Sequence, residues 1–107
     1  MALTKHFRHT IMARVGRDPA FARHLLDEAA TLFLNGEPAA ARLVLRDLVN
    51  ATVGFESLAA NTGTPAKSLH RMLSARGNPS MEKLAAVFCA VRRALGVRVR
   101  VRAVKAA

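Results

Sequence analysis

Residues 64–76 read Thr-Pro-Ala-Lys-Ser-Leu-His-Arg-Met-Leu-Ser-Ala-Arg, and almost every side chain there that is not apolar donates hydrogen bonds. Lys67 and Arg71 stand four apart, so on a helix they share one face, while Leu69, Met72 and Leu73 recur on the opposite one. The chemistry this set offers is recognition of an electron-rich, anionic surface. Arg71 and Lys67 suit a guanine edge or a phosphate, His70 and Ser68 hydrogen-bond either, and Ala66 fits a thymine methyl. Thr64 and Pro65 lead into the segment, and Ser74 and Arg76 close it.

Covalent chemistry finds no comparable constellation. The four histidines are His6, His9, His24 and His70. His6 and His9 are three apart, but neither Cys nor carboxylate accompanies them, and zinc wants four ligands or three plus water. Asp27 and Glu28 are adjacent and point to different sides of a helix, which suits salt bridges better than paired-carboxylate catalysis. Glycine-rich phosphate loops, a Gly-x-Ser-x-Gly elbow and His-Glu-x-x-His are all missing from the sequence. Cys89, in Leu-Ala-Ala-Val-Phe-Cys-Ala-Val, reads as a buried, inert thiol. A single cysteine forms no internal disulfide and fits the reducing cytoplasm. The expectation is a protein without catalytic residues, metal or cofactor.

Two short helical patterns must position the donors. The first runs from Phe55 to about Asn61 with Leu58 and Ala59, and the second from Pro65 to about Leu73. Gly63 between them can take the positive φ of a tight helix-to-helix turn. Thr64 reads as the N-cap of the second helix, with Pro65 at its first position. This spacing resembles the helix-turn-helix of phage-repressor-like (XRE-type) transcription regulators. Ala59 matches that family's small packing residue, Gly63 its turn, and Leu58, Leu69 and Met72 its core positions. Thr62 and Thr64 depart from it, standing where an aliphatic residue is usual. Glu56 departs too, near a position where many relatives carry a phosphate-binding glutamine. The resemblance implies that the second helix enters the major groove, presenting Thr64, Pro65, Ala66, Lys67, Ser68, His70, Arg71, Ser74 and Arg76 to duplex DNA.

The charge distribution points the same way. Residues 1–53 hold seven Lys/Arg against five Asp/Glu, a balance of +2, whereas residues 54–107 hold ten against two, a balance of +8. A basic half that begins at the two-helix unit is what a polyanion-binding surface looks like. No apolar run reaches the roughly 18–20 residues that a membrane helix needs. The first 17 residues are basic and acid-free, as a targeting or membrane-surface segment would be, but their apolar set is small and the pattern runs on into the next helix.

Taken in order, the 107 residues read as one all-α (mainly α) domain of five to six helices. An N-terminal helical extension spans 1–36, a helix-turn-helix core 37–96, and a short β-strand 97–103. Thr4 caps a helix carrying Phe7, Ile11 and Val15. Asp18-Pro19 opens a second helix with Phe21, Leu25, Leu32 and Phe33 as its buried stripe and an Arg23–Asp27 pair in water. Glu37-Pro38 opens a third, burying Leu43, Val44, Leu45, Leu48 and Val49 and exposing Arg42, Arg46 and Asp47. After a Ser-Ala-Arg-Gly-Asn-Pro-Ser loop, in which Gly77 closes the preceding helix, Ser80 caps a last helix. Its stripe is Met81, Leu84, Phe88, Val91 and Leu95, and Gly96 stops it. Val97, Val99 and Val101 then alternate with Arg98, Arg100 and Arg102, the period-two pattern of a strand with one apolar and one basic face. Such a strand has no partner within a helical chain, so the expectation is a two-stranded ribbon across a homodimer, with a frayed basic tail as the alternative.

The order of parts across roughly residues 37–103 is similar to that of antidote (antitoxin) regulators of the addiction-module type. Ser68–Phe88 and the Arg-Arg-Ala-Leu-Gly-Val-Arg-Val-Arg-Val run carry most of that likeness. It implies a repressor that binds an inverted-repeat operator and also binds a small ribonuclease-like toxin encoded beside it. Two alternatives stay open. One is a protein–protein module whose main role is toxin neutralisation; the other is non-specific nucleic-acid binding through the basic C-terminal half.

Overall fold

The computed structural model describes Thr10 and residues 13–107, and these are mainly helical. The Thr4 cap, Phe7, Ile11 and the His6/His9 pair lie outside the described residues. Residues 13–17 are helical, and five helices follow: α1 (Pro19–Leu34), α2 (Pro38–Ala51), α3 (Phe55–Thr62), α4 (Ala66–Met72) and α5 (Met81–Leu95).

The helix boundaries follow from local chemistry. The Asp18 carboxylate accepts hydrogen bonds from the Ala20 and Phe21 amides at 3.1 and 3.2 Å, and Pro19 occupies the first turn, where its missing N–H costs nothing. Ser80 Oγ accepts from the Lys83 amide at 3.2 Å to start α5, and Gly96 ends that helix in the left-handed region at φ 66°. The Arg14–Asp18 contact of 3.8 Å is the one salt bridge among the described residues, so the expected Arg23–Asp27 pair does not form.

A single core joins residues of all five helices, with Leu26, Leu45, Leu48, Leu58, Leu69, Leu73, Val87 and Val91 fully buried. Helices α1 and α2 form the most extensive pair. The buried line of α1 is Ala22, Leu26 and Ala29, one residue round from the predicted stripe; Phe21, Leu25, Leu32 and Phe33 are only half-buried beside it. The two alanines are fully enclosed, which lets backbones approach closely while the larger side chains close over the flanks. On α2, Leu43 and Val44 are half-buried, while Asp47, expected in water, is 5% exposed. On α5 the buried residues are Leu84, Val87 and Val91. Met81 is 83% exposed, because the first residue of α5 overhangs the core.

No strand forms among the described residues, and 97–107 carry no regular structure. The 97–103 strand fails for a physical reason: a strand exists through its ladder, and nothing among the described residues offers an edge to pair with it. The segment nonetheless has a place. Val97 packs against the core, Val99 lines a cleft against α1 and α5, and Val101 and Val104 are exposed.

Candidate nucleic-acid interface

The two-helix unit is built around its turn. Gly63 has φ 71° and ψ 15°, and its amide donates to the Ala59 carbonyl at 2.9 Å, closing α3 with a left-handed cap. Thr62, an unusual polar residue at this point, is accommodated by its hydroxyl, which donates to the Leu58 carbonyl at 2.7 Å. The next helix starts one residue later than the sequence suggests. Pro65, with φ −57° and ψ 143°, is itself the N-cap of α4, Ala66 is the first helical residue, and no side chain caps the helix. Thr64 is therefore half-buried turn rather than cap.

From this turn α4 lays Leu69 against the core, followed by Leu73, while Met72 is half-buried beside them. The outward side carries Lys67, His70 and Arg71, all exposed, with Arg76 exposed in the loop beyond. Pro65 is exposed at the entry, and Ala66 and Ser68 are half-buried. Lys67, Arg71 and Arg76 make no side-chain hydrogen bond or salt bridge among the described residues. Their donors face solvent, four residues apart on one helix in the case of Lys67 and Arg71.

Two of the predicted residues already make contacts within the unit. The His70 ring stacks on Phe55, with centroids 3.8 Å apart and planes 18° from parallel. This contact covers the buried Phe55 at the start of α3 and ties the two helices together on the side away from the glycine. Ser74 Oγ donates to the Arg71 carbonyl at 2.7 Å, capping the C-terminal end of α4, so its hydroxyl proton is committed to backbone.

One residue of the unit escaped the sequence reading. Arg42, on α2, is half-buried; its Nε donates to the Ser74 carbonyl at 3.0 Å and its Nη2 to the Ala75 carbonyl at 2.9 Å. The guanidinium thus clamps the chain just where it leaves α4. A signal was present: Arg42 lies three and seven residues before Leu45 and Val49, on the buried line of α2. Gly77 completes the clamp. Its amide donates to the Ser74 carbonyl at 3.1 Å, and a Cβ there would overlap the Met72 carbonyl and lie 2.7 Å from that of Arg71. Gly77, expected to close the preceding helix, is needed because the chain passes so close to the last carbonyls of α4, and its φ is not positive.

Among the described residues no three His, Cys, Asp or Glu side chains gather as metal ligands would, and no helix is long and apolar enough to cross a membrane. Cys89 is only half-buried, with Sγ 3.7 Å from Arg92 Nη2. Comparison with known proteins finds no match to a family model, a curated sequence or a solved structure.

Proposed function

We propose that the chain is a sequence-specific duplex-DNA-binding transcriptional regulator, a repressor that reads the major groove with α4. The observation that carries this reading is the α3–Gly63–α4 unit, with Lys67 and Arg71 exposed and unpartnered among the described residues on one face of a helix that follows a left-handed turn and is clamped by Arg42 where the chain leaves it. The excess of positive charge in the half of the chain that contains it supports the same reading. In this account Arg71 and Lys67 contact base edges or phosphate. His70 keeps its ring on Phe55 and offers a nitrogen at its edge, and Arg76 reaches backbone phosphate beside the loop.

The regulator acts as a homodimer, with Val97, Val99 and Val101 at the interface. Residues 98–107 make no hydrogen bond within the described chain, so their backbone is available for an antiparallel ribbon with a second copy. A two-fold axis near residue 99 would pair the two α4 helices on an inverted repeat, about 34 Å apart or a multiple of that. The cytoplasmic setting and the role as antitoxin of a toxin–antitoxin module rest on the single cysteine and on the order of parts in the sequence.

The test begins with selection of bound duplexes from a randomised pool. Wild type should enrich an inverted repeat. Arg71→Ala should relax preference at one base pair, a good bidentate contact being worth about 1–3 kcal/mol of discrimination. Unchanged affinity for the enriched site in a combined Lys67, His70 and Arg71 alanine variant would overturn the assignment.

A further inference from the structure

A mostly apolar concavity lies away from the two-helix unit, on another side of α5. It is a cleft of about 390 Å³ between α1, α5 and the C-terminal segment, lined by Phe33, Leu84 and Phe88 with the exposed Leu34, Met81 and Ala85 around them. That volume falls at the lower end of the roughly 300–1,000 Å³ of small-molecule sites. Leu34 and Met81 are 59% and 83% exposed, so two large apolar side chains stand at its mouth with nothing over them.

The lining contains one charged side chain, Arg92. Its guanidinium is fixed from two directions: Nη1 donates to the Val97 carbonyl at 3.2 Å and Nη2 to Cys89 Sγ at 3.7 Å. A guanidinium carries five N–H donors. Three therefore remain without a protein partner among the described residues, held in a planar fork at the edge of an apolar wall. Planar bidentate pairing with a carboxylate is what such a fork does best.

We infer that this cleft binds a free small-molecule monocarboxylate with an apolar body, its carboxylate on Arg92 and its tail against Phe33 and Phe88. The charge within the cleft sets where the acid end goes. The rest of the cleft's own lining is uncharged and mostly apolar, which suits an apolar body better than a second charge. Beyond Leu34 the adjoining hollow holds Asp27 together with Arg100 and Arg102, so the acid end is placed by Arg92 as the one charged side chain of the cleft's own lining. The inference is independent of DNA binding.

Cys89, in the wall beside Arg92 and the sole thiol of the chain, reports occupancy directly. The experiment follows the rate of Cys89 alkylation by iodoacetamide in the full chain with added octanoate, with calorimetric titration in parallel. Expected are saturable protection and one site per chain. Octanol, which lacks the charge, should bind at least about tenfold more weakly, the scale of a charge-assisted hydrogen bond. Arg92→Gln should weaken octanoate by a similar factor, and Arg93→Gln, one residue along the helix, should not. Since Arg92→Gln also frees Val97, Ala85→Trp serves as a second variant that fills the cleft and leaves the guanidinium in place; it should abolish binding. Protection that never saturates, equal binding of octanol, or unchanged binding in Ala85→Trp would overturn the inference. So would protection that rises with protein concentration alone, which would make a second copy the occupant.

Discussion

The two sides of α5 differ in how complete they are. Towards the two-helix unit, carbonyls at the end of α4 are met by Arg42, Ser74 and Gly77, and the apolar residues of α3 and α4 reach the core. Towards the cleft, Leu34, Met81, Val99, Val101 and Val104 are exposed, and the chain from residue 98 onward makes no hydrogen bond among the described residues. One side is finished by the chain itself and leaves only charged donors facing out. The other leaves apolar surface and free backbone, which are the groups that another molecule covers. Substitutions on the finished side should therefore cost folding stability, and those on the open side should cost association with little loss of stability.

The largest effect is expected at Gly77. With a Cβ overlapping the Met72 carbonyl, Gly77→Ala must shift the loop and release the Arg42 clamp. Overpacking of this kind costs about 3 kcal/mol, a fall in Tm of more than about 10 °C for a domain of this size. Gly63 makes the contrast: space around it is open, and only its φ of 71° resists a side chain. Gly63→Ala should cost about 1–2 kcal/mol, and the β-branched Gly63→Val more. Thermal unfolding of the variants checks the order. Equal Tm values for Gly77→Ala and wild type would show that the loop is not as closely packed as described.

Arg42 comes next. Arg42→Ala removes two charge-assisted hydrogen bonds and should cost about 1.5–3 kcal/mol. Arg42→Lys should recover little, because an ammonium on a flexible stem cannot span both carbonyls as the planar fork does. Under the DNA-binding proposal the same variants weaken operator affinity beyond their loss of stability, since α4 loses its hold at the C-terminal end. Chemical denaturation and operator titration, run on both, separate the two effects. His70→Ala is a smaller perturbation of the same unit: losing the stack on Phe55 should cost about 0.5–1.5 kcal/mol, measured by denaturation in urea.

These sites also mark how far the sequence could be read. Caps and left-handed glycines were legible at Asp18, Ser80, Gly63 and Gly96 because their partners lie within four residues. The helical class followed from the same local periodicity. Arg42 was assigned to water because its acceptors lie 32 and 33 residues on, beyond any local pattern. The α1 stripe was misplaced by one residue because hydrophobicity favours phenylalanine, whereas close helix contact favoured Ala22 and Ala29. The stack of His70 on Phe55 was not foreseen because nothing in the spacing reveals that Phe55 lies under the ring. The strand at 97–103 was read from a genuine period of two, but a ladder needs a second edge, and periodicity does not supply one.

That segment gives the smallest expected effect on stability. The Val99 amide makes no hydrogen bond among the described residues, and its side chain lies at the margin of the cleft. Proline at this position therefore removes nothing that holds the single chain together. Val99→Pro should change unfolding free energy by no more than about 0.5 kcal/mol, as an exposed substitution does. If two chains pair antiparallel through residues 97–103, however, the same change deletes a ladder donor at the two-fold axis and places a ring between the strands. The dimer should then dissociate, and operator binding weaken, while the monomer unfolds as before. Sedimentation at several concentrations reads the first effect and denaturation the last. An unaltered dimer in Val99→Pro would move the interface to Leu34 and Met81, where Met81→Ser becomes the variant that separates the chains.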